Sequence, residues 1–225
     1  MKPRSSSQTN RALTLIEVLV VIFVLAIVAA MMLPALSVSR RNRLLLGCQN
    51  NLEQIFHAYR GWANDHDGKF PMEISVTSGG TKELALAGNA VTTFQVLSSH
   101  LSSPKILICP ADKRQVAATN FNVGFTAGNI SYFVGVDANT NCPQAFLSGD
   151  DSFVVNGAPV KSGLLELSTN MTPDWTKIPV DWADQRHNAG GVIGFVDGEI
   201  RPTYFYSLRI YLHSTGLATN RLAVP

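Results

Sequence analysis

The 225-residue chain is poor in charge, cysteine and aromatics: 15% of its residues are Asp, Glu, Lys or Arg, 8% are aromatic, and three are Cys. With 46% hydrophobic residues, that scarcity of charge excludes a disordered chain or a coiled-coil rod, and 17 Gly without a triplet repeat exclude collagen. Three cysteines, Cys48, Cys109 and Cys142, are too few for a disulfide scaffold; they allow one bond and one leftover thiol. There is no Walker loop, dinucleotide fingerprint or nucleophile elbow, which excludes the enzyme classes that need them. There is also no basic stripe with interleaved aromatics, so no nucleic-acid partner is expected.

The few charges are unevenly placed. Residues 1–12 hold three basic side chains and no acid, and residues 18–39 hold no ionisable side chain. Loss of Lys2, Arg4 and Arg11 would leave 15 of 18 basic residues against 16 acids, moving the formal charge from +2 to −1. The run Val18–Ser39 would span roughly 33 Å as a helix, enough for a bilayer core. A secretory signal has a shorter apolar stretch, about 7–15 residues, so this run predicts a membrane helix. Lys2, Arg4 and Arg11 before it are matched by Arg40, Arg41 and Arg43 after it, so charge alone barely orients it. Two residues are unusual in a plain anchor. Glu17 stands at its mouth, where an acid costs about 2.5–3.5 kcal/mol if drawn to the membrane centre unpaired. Pro34 lies within it and removes a helical hydrogen bond.

The stretch Arg11, Ala12, Leu13, Thr14, Leu15, Ile16, Glu17, with the uncharged run and Pro34, resembles the leader junction of type IV prepilins and type II secretion pseudopilins. Ala12 stands where Gly is usual and Leu13 where Phe is usual. The resemblance implies cleavage between Ala12 and Leu13 and N-methylation of Leu13 by a bifunctional prepilin peptidase/N-methyltransferase. It further implies polymerisation with pilin-like subunits on an inner-membrane assembly platform. Glu17 would be neutralised by the Leu13 amine of a neighbouring subunit. The leader would be cytoplasmic and the C-terminal domain periplasmic, in a single-pass inner-membrane protein that enters a filament after assembly.

Beyond the arginines, Leu45, Cys48, Leu52, Ile55, Tyr59 and Trp62 recur every three or four residues, the stripe of an amphipathic helix. Gly61 and Asn64-Asp65-His66-Asp67-Gly68 predict its end. Asp65 to Gly68 also resembles part of a calcium loop, but Ala63 and Ile74 stand where two ligands belong, so a turn is expected. The expected organisation is a leader at 1–12, a membrane and polymerisation helix at 13–39, its amphipathic continuation at 40–63, and a globular domain at 64–225.

In that domain, short apolar runs at 106–109, 131–136, 152–155, 192–196 and 199–206 predict a small antiparallel sheet. Asp197-Gly198 predicts a two-residue hairpin turn with positive φ at both residues. Pro202 places the following strand at an edge. The fold class expected is therefore α+β and pilin-like: a long helix, half in the membrane, packed by its amphipathic half on an antiparallel sheet. His187 followed by nine residues and Asp197-Gly198 resembles the H-x9-DG motif of a bacterial group of prepilin-like proteins. Cys48 to Ile55, Asn64 to Pro71 and Cys109 to Asp112 resemble further segments of that group.

His187 is expected to tie down the loop before a strand and Asp197 to make the turn after it. Cys48 is expected as a small buried residue or as half of a disulfide with Cys109. Cys109 with His57, His66 or His187 lacks standard zinc spacing, so neither metal nor cofactor is expected. Trp175 and Trp182 flank a loop and suit core or rim positions. These features describe a filament subunit, not an enzyme. The alternative is an anchored envelope hydrolase or glycan-binding module using His187, Asp197 or the tryptophans.

Overall fold

A computed structural model describes residues 14–169, 178–183 and 186–225. The chain divides into two units, Met1–Asn42 and Arg43–Pro225. Ala12, Leu13 and Trp175 lie outside the described residues. Helix α1 runs Leu15–Asn64 and passes through Pro34. Its start follows from the sequence Thr14-Leu15-Ile16-Glu17. The Thr14 amide and hydroxyl each donate to the Glu17 carboxylate at 2.9 Å, and the Glu17 amide lies 3.4 Å from the Thr14 hydroxyl. This is a capping box, which satisfies amides that a helix start leaves open. Glu17 thus has a partner within its own chain. In the first unit, Leu15–Met32 is long and apolar enough to cross a membrane, and its large side chains are exposed all round.

In the second unit, Cys48, Leu52, Ile55, Tyr59 and Trp62 of the predicted stripe are buried, joined by Phe56, and Leu45 is partly buried against them. Full burial of each large apolar member contributes about 1.5–3 kcal/mol. The helix stops where the turn was expected, because Asp67 (φ 53°) and Gly68 (φ 75°) adopt the left-handed conformation and the Gly68 amide returns to the Ala63 carbonyl.

The stretch from 73 to 92 contains α2 (Lys82–Leu86) and the start of α3 (Ala90–Val96). Asn89 caps α3 by accepting from the Thr92 amide. The strands are β1 (Tyr132–Gly135), β2 (Phe146–Asp150), β3 (Phe153–Val155), β4 (Ala158–Pro159), β5 (Gly163–Ser168), β6 (Val180–Trp182), β7 (Gly190–Phe195) and β8 (Ile200–Tyr204). Helix α4 (Phe205–Ser214) and strand β9 (Thr219–Val224) follow. Six strands form an antiparallel sheet in the order β5-β9-β1-β2-β7-β8, and three form a second sheet, β4-β3-β6.

Strand alternation divides the large sheet between two cores. Tyr132, Val134, Leu147, Val192 and Ala223 face the core that contains Cys48 to Ala63 of α1. Phe133, Phe146, Ile193, Phe195 and Leu222 face the other, with Leu208 and Leu212 of α4 and Phe153 and Trp182 of the small sheet. The α+β arrangement expected from the sequence is therefore present, with an additional layer on the far face. A sheet covered on both sides has no polar face, which is why β7 reads as a continuous buried run.

Three local readings are corrected. Residues 106–109 are not a strand: Ser103 caps a 3-10 turn at Pro104–Leu107, started by the preset φ of Pro104. The run 199–206 splits into β8 and the first turn of α4. The hairpin between β7 and β8 has a three-residue loop. The Gly198 amide donates to the Phe195 carbonyl and the Phe195 amide to that of Glu199, and of the pair only Gly198 has positive φ, 99°. Pro202 does lie on an edge strand, β8.

Gly135 closes β1 against β2, where any Cβ would overlap the Phe146 carbonyl oxygen. Gly135→Ala is expected to lower unfolding stability by about 3 kcal/mol, whereas Gly128→Ala, with its nearest neighbour at 3.5 Å, is expected to change it little. Denaturant titration of the two variants checks both.

Candidate functional site

Four segments far apart in sequence meet beneath the second-unit half of α1. Cys48 comes from the helix, Cys109 from the loop after the 3-10 turn, Asp150 from the end of β2, and His187 from the loop entering β7. One ligand atom from each lies within 4.8 Å of all the others. His187 Nε2 is 3.1 Å from Cys109 Sγ and 3.5 Å from Asp150 Oδ2. Cys48 Sγ is 3.3 Å from both Asp150 carboxylate oxygens and 3.4 Å from the Tyr132 hydroxyl. Cys48, Cys109 and Asp150 have no exposure, and the His187 side chain has 2%. The candidate disulfide is a pair of free thiols here.

Such close packing of ionisable groups moves their proton affinities. The hydrogen bond from Cys48 holds the Cys109 thiol down at about 4 against the opposing effect of burial, with help from His187. Burial and the Cys109 sulfur push Cys48 well above its ordinary range. Burial, reinforced by the Cys109 charge, raises Asp150 to about 8. Burial alone would lower His187, but the Cys109 hydrogen bond and the Asp150 charge raise it. One thiolate facing one imidazolium is the arrangement these shifts favour.

A second tier surrounds the four. Arg186, 2% exposed, reaches Asp112 through Nη2, lies 2.6 Å from Asp151 and 3.6 Å from Asp150, and donates to the Ser131 carbonyl at 3.2 Å. The Ser131 hydroxyl and the Arg114 amide also donate to Asp112, at 3.0 and 2.9 Å. Asn51, one helical turn beyond Cys48, donates to the Ile108 carbonyl at 2.9 Å and fixes the loop that carries Cys109. Two short stretches therefore interlock: Cys109 with His187, and Asp112 with Arg186. The backbone here is strained, since His187, Asn188 and Ala189 have φ of 46°, 63° and 60°. Each non-glycine in this region costs about 1–2 kcal/mol.

His187 and Asp197 do not meet; they stand at opposite ends of β7. Asp197 accepts from the Glu199 amide and from Gln144, both at 2.9 Å. At Gly198, a Cβ would come within 2.8 Å of the Phe56 ring of α1. The two ends of the His187-to-Gly198 stretch thus hold β7 along the helix, one by the polar cluster and the other by close packing. Trp182 is buried and stacked on Phe153 at 4.9 Å, leaving no face for a sugar.

Sequence reasoning missed Asp150 and Arg186, and it set aside Cys109 with His187 for want of ligand spacing. A signal was present: Asp150 and Asp151 sit between the apolar residues Phe146-Leu147 and Phe153, where a carboxylate has to be paired. Cys109, His187 and Asp150 are the residue types of a catalytic triad, but sulfur and carboxylate both meet the same ring nitrogen. A proton relay uses opposite nitrogens. The arrangement is a set of donors around one point, able to hold a cation or share protons.

Burial works against the charged form of Asp112, but hydrogen bonds from Arg114 and the charges of Arg186 and Arg114 hold its carboxyl below the usual range. A lowered folded-state pKa adds stability above the ordinary carboxylate pKa, and that stability is lost as pH falls through the lowered value. Asp112→Asn is expected to cost about 2–3 kcal/mol at pH 7. The deficit should shrink at acid pH as the native Asp112 takes up its proton, which denaturation curves across pH will show.

Among known proteins, residues 8–33 match the Prokaryotic N-terminal methylation motif. No curated protein and no solved structure gives a match. The matched stretch contains Ala12, Leu13, the Thr14–Glu17 cap and the start of the apolar helix, so this chain has the N-terminal segment of a prepilin-like, membrane-anchored, single-pass protein.

Proposed function

We propose that the chain is a structural subunit, a pseudopilin or minor pilin, of a type II secretion pseudopilus or type IV pilus-like filament. The observation that carries this reading is the methylation motif at residues 8–33, which contains the exposed apolar helical span Leu15–Met32. Prepilin-motif proteins are structural subunits processed by the prepilin peptidase and assembled with other pilin-like chains. Residues 1–12 are the cytoplasmic leader, 13–39 the membrane and polymerisation helix, 40–63 its continuation, and 64–225 the periplasmic domain. An exposed apolar helix is costly in water and stable either in lipid or packed among copies of itself. The inner-membrane platform moves it from the first setting to the second.

Glu17 has a distinct part in that transfer. Its carboxylate already accepts from Thr14, so the Leu13 amine of a neighbouring subunit would compete with an existing cap. Exchanging a neutral donor for a cationic one strengthens the bond in a low-dielectric core, and Glu17 then sets the register between subunits. Pro34 removes a helical hydrogen bond in the same segment, which neighbouring helices would accommodate.

Mass spectrometry of the mature N-terminus, in cells with and without prepilin peptidase, tests the proposal. A peptidase-dependent start at N-methylated Leu13 is expected, with Glu17→Ala processed normally but lost from the filament fraction. An intact Met1, or cleavage beyond Leu36, would contradict it and favour an anchored domain.

A further inference from the structure

The sulfurs of Cys48 and Cys109, a carboxylate oxygen of Asp150 and Nε2 of His187 surround one point, and we propose that they form a closed binding site for a single zinc ion. The donor chemistry selects the metal. Two sulfurs and an imidazole nitrogen suit a borderline-soft ion, whereas calcium and magnesium take six or more oxygens.

The spacing agrees with tetrahedral coordination. With Zn–S near 2.3 Å and Zn–N or Zn–O near 2.0–2.1 Å, neighbouring ligand atoms stand about 3.3–3.8 Å apart. The separations here are 3.1 Å for Cys109 Sγ to His187 Nε2, 3.5 Å for His187 Nε2 to Asp150 Oδ2, and 3.3 Å for Cys48 Sγ to Asp150. All six separations lie within 4.8 Å, so uptake of the ion draws the widest pair inward by up to about 1 Å while the short ones open slightly.

Charge and hydrogen bonding are also arranged for it. Two thiolates and a carboxylate bring three negative charges against the two positive ones of the ion, and Arg186, 3.6 Å from Asp150 and shared with Asp112 and Asp151, offsets part of the remainder. The protons held by Cys48, by Asp150 and by Nε2 of His187 leave to solvent as the metal–ligand bonds form. Tyr132 lies 3.4 Å from Cys48 Sγ, and the Val192 amide donates to Asp150 Oδ2 at 2.9 Å. Such outer contacts orient metal ligands. All four positions are protein side chains and all are buried, so no place is left for water or substrate, and the site is structural. It would join α1 to the loop before β1, to β2 and to the loop before β7. This goes beyond the filament proposal and does not depend on it.

The test uses the full chain purified from membranes in detergent. Metal analysis should find one zinc per chain, and exchange with cobalt should give thiolate-to-cobalt charge-transfer absorption of a tetrahedral site. Cys109→Ser and His187→Gln should lose the metal, and Cys142→Ser should keep it. Since the ligand variants could fail to fold, the cobalt spectrum of the unaltered chain decides independently. Lack of thiolate charge transfer in that spectrum would overturn the proposal. So would peptide mapping that finds Cys48 and Cys109 joined as a disulfide, or zinc retained by a folded Cys109→Ser, His187→Gln double variant.

Discussion

Asp150 carries a carboxyl group with no exposure to solvent, its pKa raised by burial to about 8, and each segment that touches it helps to satisfy its hydrogen bonds. A buried polar group left without a partner costs about 1–3 kcal/mol. Its partners come from α1 through Cys48, from β7 through the Val192 amide, and from the loop before β7 through Arg186 and His187. Arg186 in turn spans Asp112 and Asp151, so the loop that carries Cys109 is drawn into the same network. The left-handed residues His187 to Ala189 are the conformational cost of aiming two cationic side chains inward just before a buried strand. Removing any one partner leaves the others buried and unsatisfied.

Helix α1 meets two environments along its length. Up to Met32 its side chains are apolar and exposed, and the capping box at Thr14 and Glu17 satisfies its first amides without help from another chain. From Cys48 onward the same helix supplies one wall of a protein core. The first segment is suited to lipid or to identical neighbours, and the second to the sheet.

Features with a short-range physical cause were legible in the sequence. The stripe from Leu45 to Trp62, the stop at Asp67-Gly68 and the edge position of Pro202 each follow from periodicity or local backbone chemistry. Strand β2 was not legible, because its Ser148-Gly149-Asp150 reads as a turn; burial between β1 and β7 overrides that composition. Helix α4 was hidden because Phe205 and Tyr206 continue the apolar run of β8. The Asp197-Gly198 pair pointed to a hairpin, but its loop length depended on the Asp197 side chain, which binds Glu199 and Gln144. The cluster itself had no local pattern: its four donors become neighbours only through the order of the strands.

The claim that the polar cluster binds helix and sheet into one cooperative unit is tested most directly by native-state hydrogen exchange on the full chain in detergent. Amides of Leu52 to Trp62, of β1 and of β7 are expected to open together, with one free energy and one denaturant dependence, as parts of one unit do. Helix amides that exchange through a cheaper opening, while β1 and β7 stay protected, would contradict the account.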